Sequence, residues 1–161
     1  MSVVRVEKDF ETLTLTLIAR FDAPVERVWQ LWADPRLLER WWGPPTWPAT
    51  VEEHDLTPGG TVSYVMTGPE DEKSRGWWRV TAVGPPRSLD FVDGFADADG
   101  TPVTGDSTST VRVRLTEQDG GTWMEVRSVF GSRDHMQRVD RMGAVEVFAQ
   151  TVGQMDALLS R

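Results

Sequence analysis

Residues 108–130 read TSTVRVRLTEQDGGTWMEVRSVF, and this stretch carries the clearest indication of the fold. Apolar and polar residues alternate on both sides of Asp119-Gly120-Gly121, a tripeptide typical of tight turns. The apolar residues that share one face are Val111, Val113, Leu115, Met124, Val126 and Phe130. The pattern predicts an antiparallel hairpin with strands at residues 108–117 and 122–130, buried on one face and solvated on the other.

Similar period-two segments precede the hairpin. Residues 12–21 read TLTLTLIARF and predict a half-buried strand. Asp22 and Asp34 are candidate N-caps for two short helices that follow this strand. Further strands are expected at residues 50–56, 61–68, 76–83 and 88–93. We therefore expect a curved antiparallel sheet of about six to seven strands.

The chain after the hairpin changes to helical spacing. The apolar residues that recur every three or four positions are Val145, Phe148, Val152, Met155 and Leu159. They predict one long helix over residues 132–160, about 42 Å in length, although Gly143 and Gly153 lie within it. The predicted fold class is α+β, a helix-grip arrangement in which the sheet curves around a long C-terminal helix.

Composition and charge restrict the classes of partner. The 161 residues are expected to form a single domain over residues 1–161. A net charge of -8 repels phosphate groups, so neither nucleic acid nor a membrane is an expected partner. There is no cysteine and the two histidines are far apart, so no metal and no cofactor are expected. The lack of cysteine and of a signal peptide at residues 1–5 favours a cytoplasmic location.

Eight tryptophans against one tyrosine are the unusual feature of the composition. Because a curved sheet and a straight helix cannot touch along their whole length, we expect a hydrophobic cavity between them that binds an apolar small molecule. The residues expected to line it are Trp32, Trp41, Tyr64, Met66, Trp78, Phe91, Met124, Val126, Met142, Glu146 and Phe148. Trp77 and Trp78 alternate along a strand, so one of the two is expected to be exposed and available to a protein partner.

Three residues are candidates for acid–base catalysis: Glu146, Tyr64 and His135. A carboxyl group buried in an apolar cavity has a raised pKa and can transfer protons, which is the reason for considering Glu146. Structural alternatives stay open, since Glu146 also fits a solvated or salt-bridged position on the edge of the helix and Tyr64 also fits plain packing.

An acidic segment precedes the hairpin. Within residues 90–106 there is no Lys or Arg, and the acidic residues are Asp90, Asp93, Asp97, Asp99 and Asp106. This composition is typical of a solvated, mobile loop of the kind that can act as a lid.

Several motifs together resemble a known family. They are Phe21-Asp22-Ala23-Pro24 with Val28-Trp29, Trp41-Trp42-Gly43-Pro44, Pro58-Gly59-Gly60, Pro85-Pro86 followed by Leu89, and Gly143 with Glu146 and Phe148. Over residues 12–161 the chain resembles the family related to the C-terminal domain of the heat-shock-protein-90 ATPase activator, in the START/Bet v 1-like superfamily. The resemblance implies a helix-grip fold with an internal hydrophobic cavity. It leaves three functions open, because relatives are small-molecule binders, polyketide cyclases or dehydratases, and chaperone cofactors.

Overall fold

Eight strands form one antiparallel sheet in the computed structural model, which describes residues 3–105 and 107–160. The strands are β1 (Val3–Asp9), β2 (Thr14–Phe21), β3 (Ala49–His54), β4 (Thr61–Thr67), β5 (Lys73–Gly84), β6 (Ser88–Ala96), β7 (Ser109–Gln118) and β8 (Gly121–Phe130). Their order across the curved, unclosed sheet is β1-β2-β8-β7-β6-β5-β4-β3. Met1 and Arg161, the predicted domain limits, lie outside the described residues, as does Asp106.

The strand that the sequence does not predict is β1, which brings the sheet to eight strands rather than the expected six to seven. It pairs antiparallel with β2, where Val6 lies opposite Leu17. Most of its side chains are exposed, because it lies at the edge of the sheet and carries the surface ion pair between Arg5 and Glu7. An edge strand with little buried surface shows only weak alternation of apolar and polar residues, so its sequence pattern is weak.

The predicted hairpin is confirmed as β7 and β8, with Val113 opposite Val126 and Leu115 opposite Met124. At its turn Asp119 and Gly120 have positive φ angles of 53° and 78°, a conformation that glycine adopts readily and aspartate tolerates. The apolar set of the hairpin is buried, and it defines the inner face of the sheet.

Two short helices follow β2, as predicted: α1 (Val25–Ala33) and α2 (Pro35–Leu38). Asp34 caps α2, because its side chain accepts hydrogen bonds from two backbone N–H groups in the first turn. Asp22 does not cap α1, whose N-cap is Pro24 without a side-chain hydrogen bond. The first helix is instead fixed by its buried apolar face.

The predicted α+β helix-grip fold with a C-terminal helix is confirmed, but this helix is not continuous. The structure has three helical segments: α3 (Arg133–Arg141), α4 (Ala144–Gly153) and α5 (Met155–Leu159). Gly143 separates the first two with a φ of 75°, a left-handed conformation that a continuous α-helix does not contain. Spacing alone could not locate this break, because Val139, Met142 and Val145 keep a three-residue apolar spacing across it.

Hydrogen bonds attach the last two segments to the region around α1 and α2. Gln154, between α4 and α5, donates through Nε2 to the carbonyl oxygens of Trp41 at 3.1 Å and Gly43 at 2.7 Å. Arg27 of α1 donates to the carbonyl oxygen of Leu159 at 2.9 Å. The C-terminal segments are therefore held at this end of the sheet independently of their apolar packing.

The C-terminal segments pack in two separate apolar clusters. Met136 and Val145 form a small cluster with Leu15 and Phe130 of the sheet. The main core takes up the later residues Val152, Met155 and Leu159. The helical segments contact the rest of the protein at these two clusters. Between the two clusters, the segments and the inner face of the sheet can be separated by a gap.

Candidate functional site

A cavity of about 650 Å³ lies between the inner face of the sheet and the C-terminal helical segments. Side chains of β2 and of β4 to β8 form one wall, and side chains of α3 and α4 form the other. Both apolar clusters contribute to it, for example through Val126 from the main core and Val145 from the small cluster. The volume falls within the range of about 300–1,000 Å³ that is typical of small-molecule sites.

Most of the residues predicted to line the cavity do so. They are Trp32, Tyr64, Met66, Phe91, Val126, Met142 and Phe148. Trp41, Trp78 and Met124 do not line it, because they are completely buried in the main core. Glu146 does not line it either, since its side chain is 68% exposed on the outer side of α4.

Trp41 and Trp42 diverge in the turn that follows α2, since this helix ends at Leu38 and does not extend to them as predicted. The indole N–H of Trp41 donates to the carbonyl oxygen of Leu31 at 2.8 Å, which anchors this ring in the core. The ring of Trp42 lines the cavity, with its centroid 5.8 Å from that of Tyr64. The sequence indicates that two adjacent tryptophans on a helix point in different directions, but it does not indicate which one reaches the cavity.

The prediction that Trp77 or Trp78 is exposed is wrong, because both are buried. Trp77 points to the outer face of the sheet, where its ring covers Gly94 and its indole N–H donates to the carbonyl oxygen of Phe95 at 2.8 Å. The missing side chain at Gly94 leaves the space that this ring fills. Neither residue is available as an exposed contact for a protein partner.

The side chain of Tyr64 extends from β4 over β5 and forms part of the cavity wall. Its ring occupies the space above Gly76, the residue opposite it on β5, and a Cβ atom at that position would collide with the phenol. Burial raises the pKa of Tyr64, and the nearby carboxyl group of Asp93 raises it further. The hydroxyl group therefore stays protonated at physiological pH and can donate a hydrogen bond into the cavity.

Asp93 is the one acidic residue among the described residues that line the cavity. It lies on β6, opposite Trp78 of β5 and Ser109 of β7. Burial raises the pKa of Asp93 to about 7, so protonated and ionised forms are both populated at neutral pH. No other side chain in residues 3–105 and 107–160 forms a hydrogen bond or an ion pair with this carboxyl group.

The interpretation of residues 90–106 as a solvated loop is wrong for Asp93. The strand β6 continues to Ala96, and of the aspartates that the structure describes in this segment, Asp97 and Asp99 lie in an exposed turn. One sequence signal could have placed Asp93 on the inner face. Asp93 lies at every-second-residue spacing with three apolar residues of the same strand, Leu89, Phe91 and Phe95, so all four share one face.

The other two catalytic candidates differ in position. Glu146 lies outside the cavity, and its Oε1 is 4.0 Å from Nζ of Lys8, which also pairs with Asp140 at 2.7 Å. His135 lines the cavity beside Phe130, at a ring-centroid distance of 5.4 Å. Burial lowers the pKa of His135, and the positive charge of Arg138 lowers it further, so the imidazole is neutral at pH 7.

Three tryptophans around the cavity have indole N–H groups without a hydrogen-bond acceptor. In the part of the chain that the structure describes, these buried atoms are Nε1 of Trp32, Trp42 and Trp78. The indoles of Trp42 and Trp78 offset part of the rise in the pKa of Tyr64, so their polar edges face its hydroxyl group without reaching good hydrogen-bond geometry. Such donors are costly in a protein interior unless a water or ligand accepts their hydrogen bonds.

Two further features concern membranes and metals. None of the described helices is long and apolar enough to cross a membrane. Within residues 3–105 and 107–160, no three side chains of the His, Cys, Asp or Glu type come together in a metal-binding group. The walls of the described cavity are mainly apolar, with separate polar groups that include Asp93, Tyr64 and His135.

Comparison with solved structures places this geometry among known proteins. A crystal structure of a protein from Mycobacterium smegmatis is 50% identical, with a TM-score of 0.89 over 98% of this chain and 96% of that chain. A solution structure of a protein from Arthrobacter aurescens is 48% identical, with a TM-score of 0.94 over 99% and 92%.

More distant relatives share the fold. A protein from Silicibacter pomeroyi described as AHSA1 is 24% identical, with a TM-score of 0.71 over 91% of this chain and 97% of that chain. A comparison with curated proteins finds no significant match. The profile of the family "Activator of Hsp90 ATPase homolog 1-like protein" matches residues 22–160. The chain therefore belongs to this family, within the START/Bet v 1-like superfamily.

Proposed function

We propose that this protein binds a hydrophobic or amphipathic small molecule in the cavity between the sheet and the C-terminal helical segments, as a cytoplasmic ligand-binding protein. The observation that carries the proposal is the cavity of about 650 Å³, whose walls are mainly aliphatic and aromatic. Its few polar groups include Asp93 and the hydroxyl of Tyr64. This combination is typical of sites where apolar surface supplies affinity and a few polar groups orient the ligand.

Packing gives an energetic reason for a ligand. Protein interiors are normally as dense as organic crystals, with few voids larger than a water molecule. The rings of Trp42 and Phe91 border the cavity and lack packing partners on that side. An apolar molecule in the cavity would supply those missing dispersion contacts and release water from apolar surface.

Exposed apolar side chains offer a route into the cavity. Phe95 is 53% exposed and Met142 is 75% exposed, and both border the cavity. Val147 of α4 also borders it and is 39% exposed. We assign these residues to an entrance for the ligand, because they continue the apolar wall to the protein surface.

Native mass spectrometry of gently purified protein tests the proposal. We expect a retained small molecule in the wild type and markedly less of it in Ser128→Phe, because Ser128 lines the cavity and a phenyl ring there would occupy part of it. Thr116→Phe is the matched control, since Thr116 is exposed on the outer face of β7. Absence of any bound molecule, together with a failure to take up apolar probes in solution, would contradict the proposal.

Acid–base catalysis is the second candidate function, in the manner of a polyketide cyclase or dehydratase. The observation that favours it is Asp93, whose pKa of about 7 suits a general acid or base beside the hydroxyl of Tyr64. Incubation of the retained molecule with the wild type and with Asp93→Asn, followed by mass spectrometry over time, separates the two functions. Conversion by the wild type alone supports catalysis, and an unchanged mass in both supports binding.

A further inference from the structure

The carboxyl group of Asp93 has aromatic neighbours on three adjacent strands. Phe91 and Phe95 flank it on the same face of β6, since residues two positions apart in a strand share a face. Trp78 lies directly opposite it on β5. Tyr64 of β4 reaches towards it over Gly76, which has no side chain to block the phenol.

Aromatic rings around a carboxyl group favour positive charge. The faces of aromatic rings carry partial negative charge and attract cations within about 6 Å of the ring centre. Trp42 and Tyr64, which both border the cavity, are in edge-to-face contact with their centroids 5.8 Å apart, so a group bound beside the pair can contact both rings. The carboxylate of Asp93 attracts a cationic group at this place and repels an anionic one.

Among the described residues, no cationic side chain pairs with the carboxyl group of Asp93. The neighbours that face Asp93 from β4, β5 and β7 are Tyr64, Trp78 and Ser109, none of which is cationic. Arg138 and His135 of α3 also border the cavity, but burial rather than either of them governs the ionisation of Asp93. In the described residues, the side chain of Arg138 instead pairs with Asp134 at 3.4 Å.

We infer that the ligand carries a cationic nitrogen, which binds between the carboxylate of Asp93 and the rings of Trp42 and Tyr64 while its apolar part fills the remaining cavity. This inference rests on the proposed function and names the chemical class of its ligand: a hydrophobic amine. The net charge of -8 also attracts cations to the protein surface. A primary ammonium group can donate hydrogen bonds to Asp93 and to the hydroxyl oxygen of Tyr64 at the same time.

Three probes of equal chain length test the inference: decylammonium, 1-decanol and decanoate. Their dissociation constants are measured by calorimetry at pH 8, below the concentrations at which they form micelles. We expect decylammonium to bind about tenfold or more tightly than 1-decanol, and decanoate to bind most weakly. Asp93→Asn should weaken decylammonium binding about tenfold and change 1-decanol binding less than about twofold.

Glu11→Gln is the matched control, since it removes one exposed carboxylate that does not border the cavity and should leave all three affinities unchanged. At pH 6 the wild type should bind decylammonium more weakly than at pH 8, because a proton competes for Asp93, whereas Asp93→Asn should show no such change. Equal binding of the three probes, or full decylammonium affinity in Asp93→Asn, overturns the inference and leaves the proposed function intact. Failure of all three probes to bind overturns both.

Discussion

Leu115 and Met124 pair across β7 and β8 at one end of the hairpin, whereas Val111 and Ser128 pair towards the other end. The first pair is fully buried under α1, which contacts both strands. Ser128 is only partly buried, because its side chain borders the cavity. The two ends share strands and register, so the difference lies in the cover that α1 provides and in side-chain size. We call the end at Leu115 and Met124 the packed end and the end at Ser128 and the cavity the hollow end. The cavity therefore arises from small inner-face residues as well as from sheet curvature.

Removal of Trp41 should produce the largest loss of stability, because this ring belongs to the packed end. Trp41→Ala deletes a completely buried indole and its hydrogen bond to Leu31, and we expect the free energy of unfolding to fall by about 3–5 kcal/mol. Trp42→Ala is the matched variant at the hollow end, where we expect a loss of about 1–2 kcal/mol because one side of the ring already faces the cavity. Urea unfolding of both variants provides the measurement, and equal losses would remove the distinction between the two ends.

The pH dependence of stability tests the hollow end through Asp93. Burial raises the pKa of Asp93 from 3.8 to about 7, so between these values the folded state holds one proton more than the unfolded state. The contribution of Asp93 to the free energy of unfolding is therefore greatest below about pH 4, and it is lost as the pH rises towards 7.

Asp93→Asn removes this titration. Relative to the variant, the wild type should lose roughly 2–4 kcal/mol of unfolding free energy between pH 4 and pH 8. Urea unfolding of both proteins across this range measures the difference. A constant difference between wild type and variant would show that the carboxyl group is solvated and would contradict its place in the cavity.

Filling the hollow end should have the smallest effect, and the opposite sign. Ser128→Leu places an aliphatic side chain in the cavity, and we expect the free energy of unfolding to rise by about 1 kcal/mol. Thr116→Leu adds similar volume on the exposed outer face and should change stability by less than about 0.5 kcal/mol. Thermal unfolding compares the two. A clear destabilisation by Ser128→Leu would indicate that its surroundings are already close-packed.

The sequence predicts the parts of the fold that local chemistry determines. The hairpin of β7 and β8 combines strict alternation with a glycine turn, and Asp34 before Pro35 is a complete helix start. The edge strand β1 and the break at Gly143 could not be predicted in the same way. Pairing with β2 stabilises β1, and a left-handed backbone conformation produces the break at Gly143. Neither feature is visible in the apolar periodicity of the sequence.

The candidate site could be predicted only by residue type. Tyr64, Phe91 and Phe148 have the parity or spacing of inward residues, and they do border the cavity. Glu146 was expected there, but its orientation on α4 depends on where Gly143 ends the preceding helix. Asp93 was missed because an acidic residue in an acidic segment suggests solvation, and only the packing of β6 against its neighbours buries it.

A crystal structure under xenon pressure tests the central claim most directly, since dry apolar cavities in proteins bind xenon. We expect xenon between α4 and the inner face of the sheet, in contact with Val126 and Phe148 and beside Ser128. In Ser128→Phe the same position should hold the phenyl ring and no xenon. Solid packing of side chains in this space in the wild type, with no xenon and no bound molecule, would contradict the claim that the sheet and the C-terminal helical segments enclose a ligand cavity.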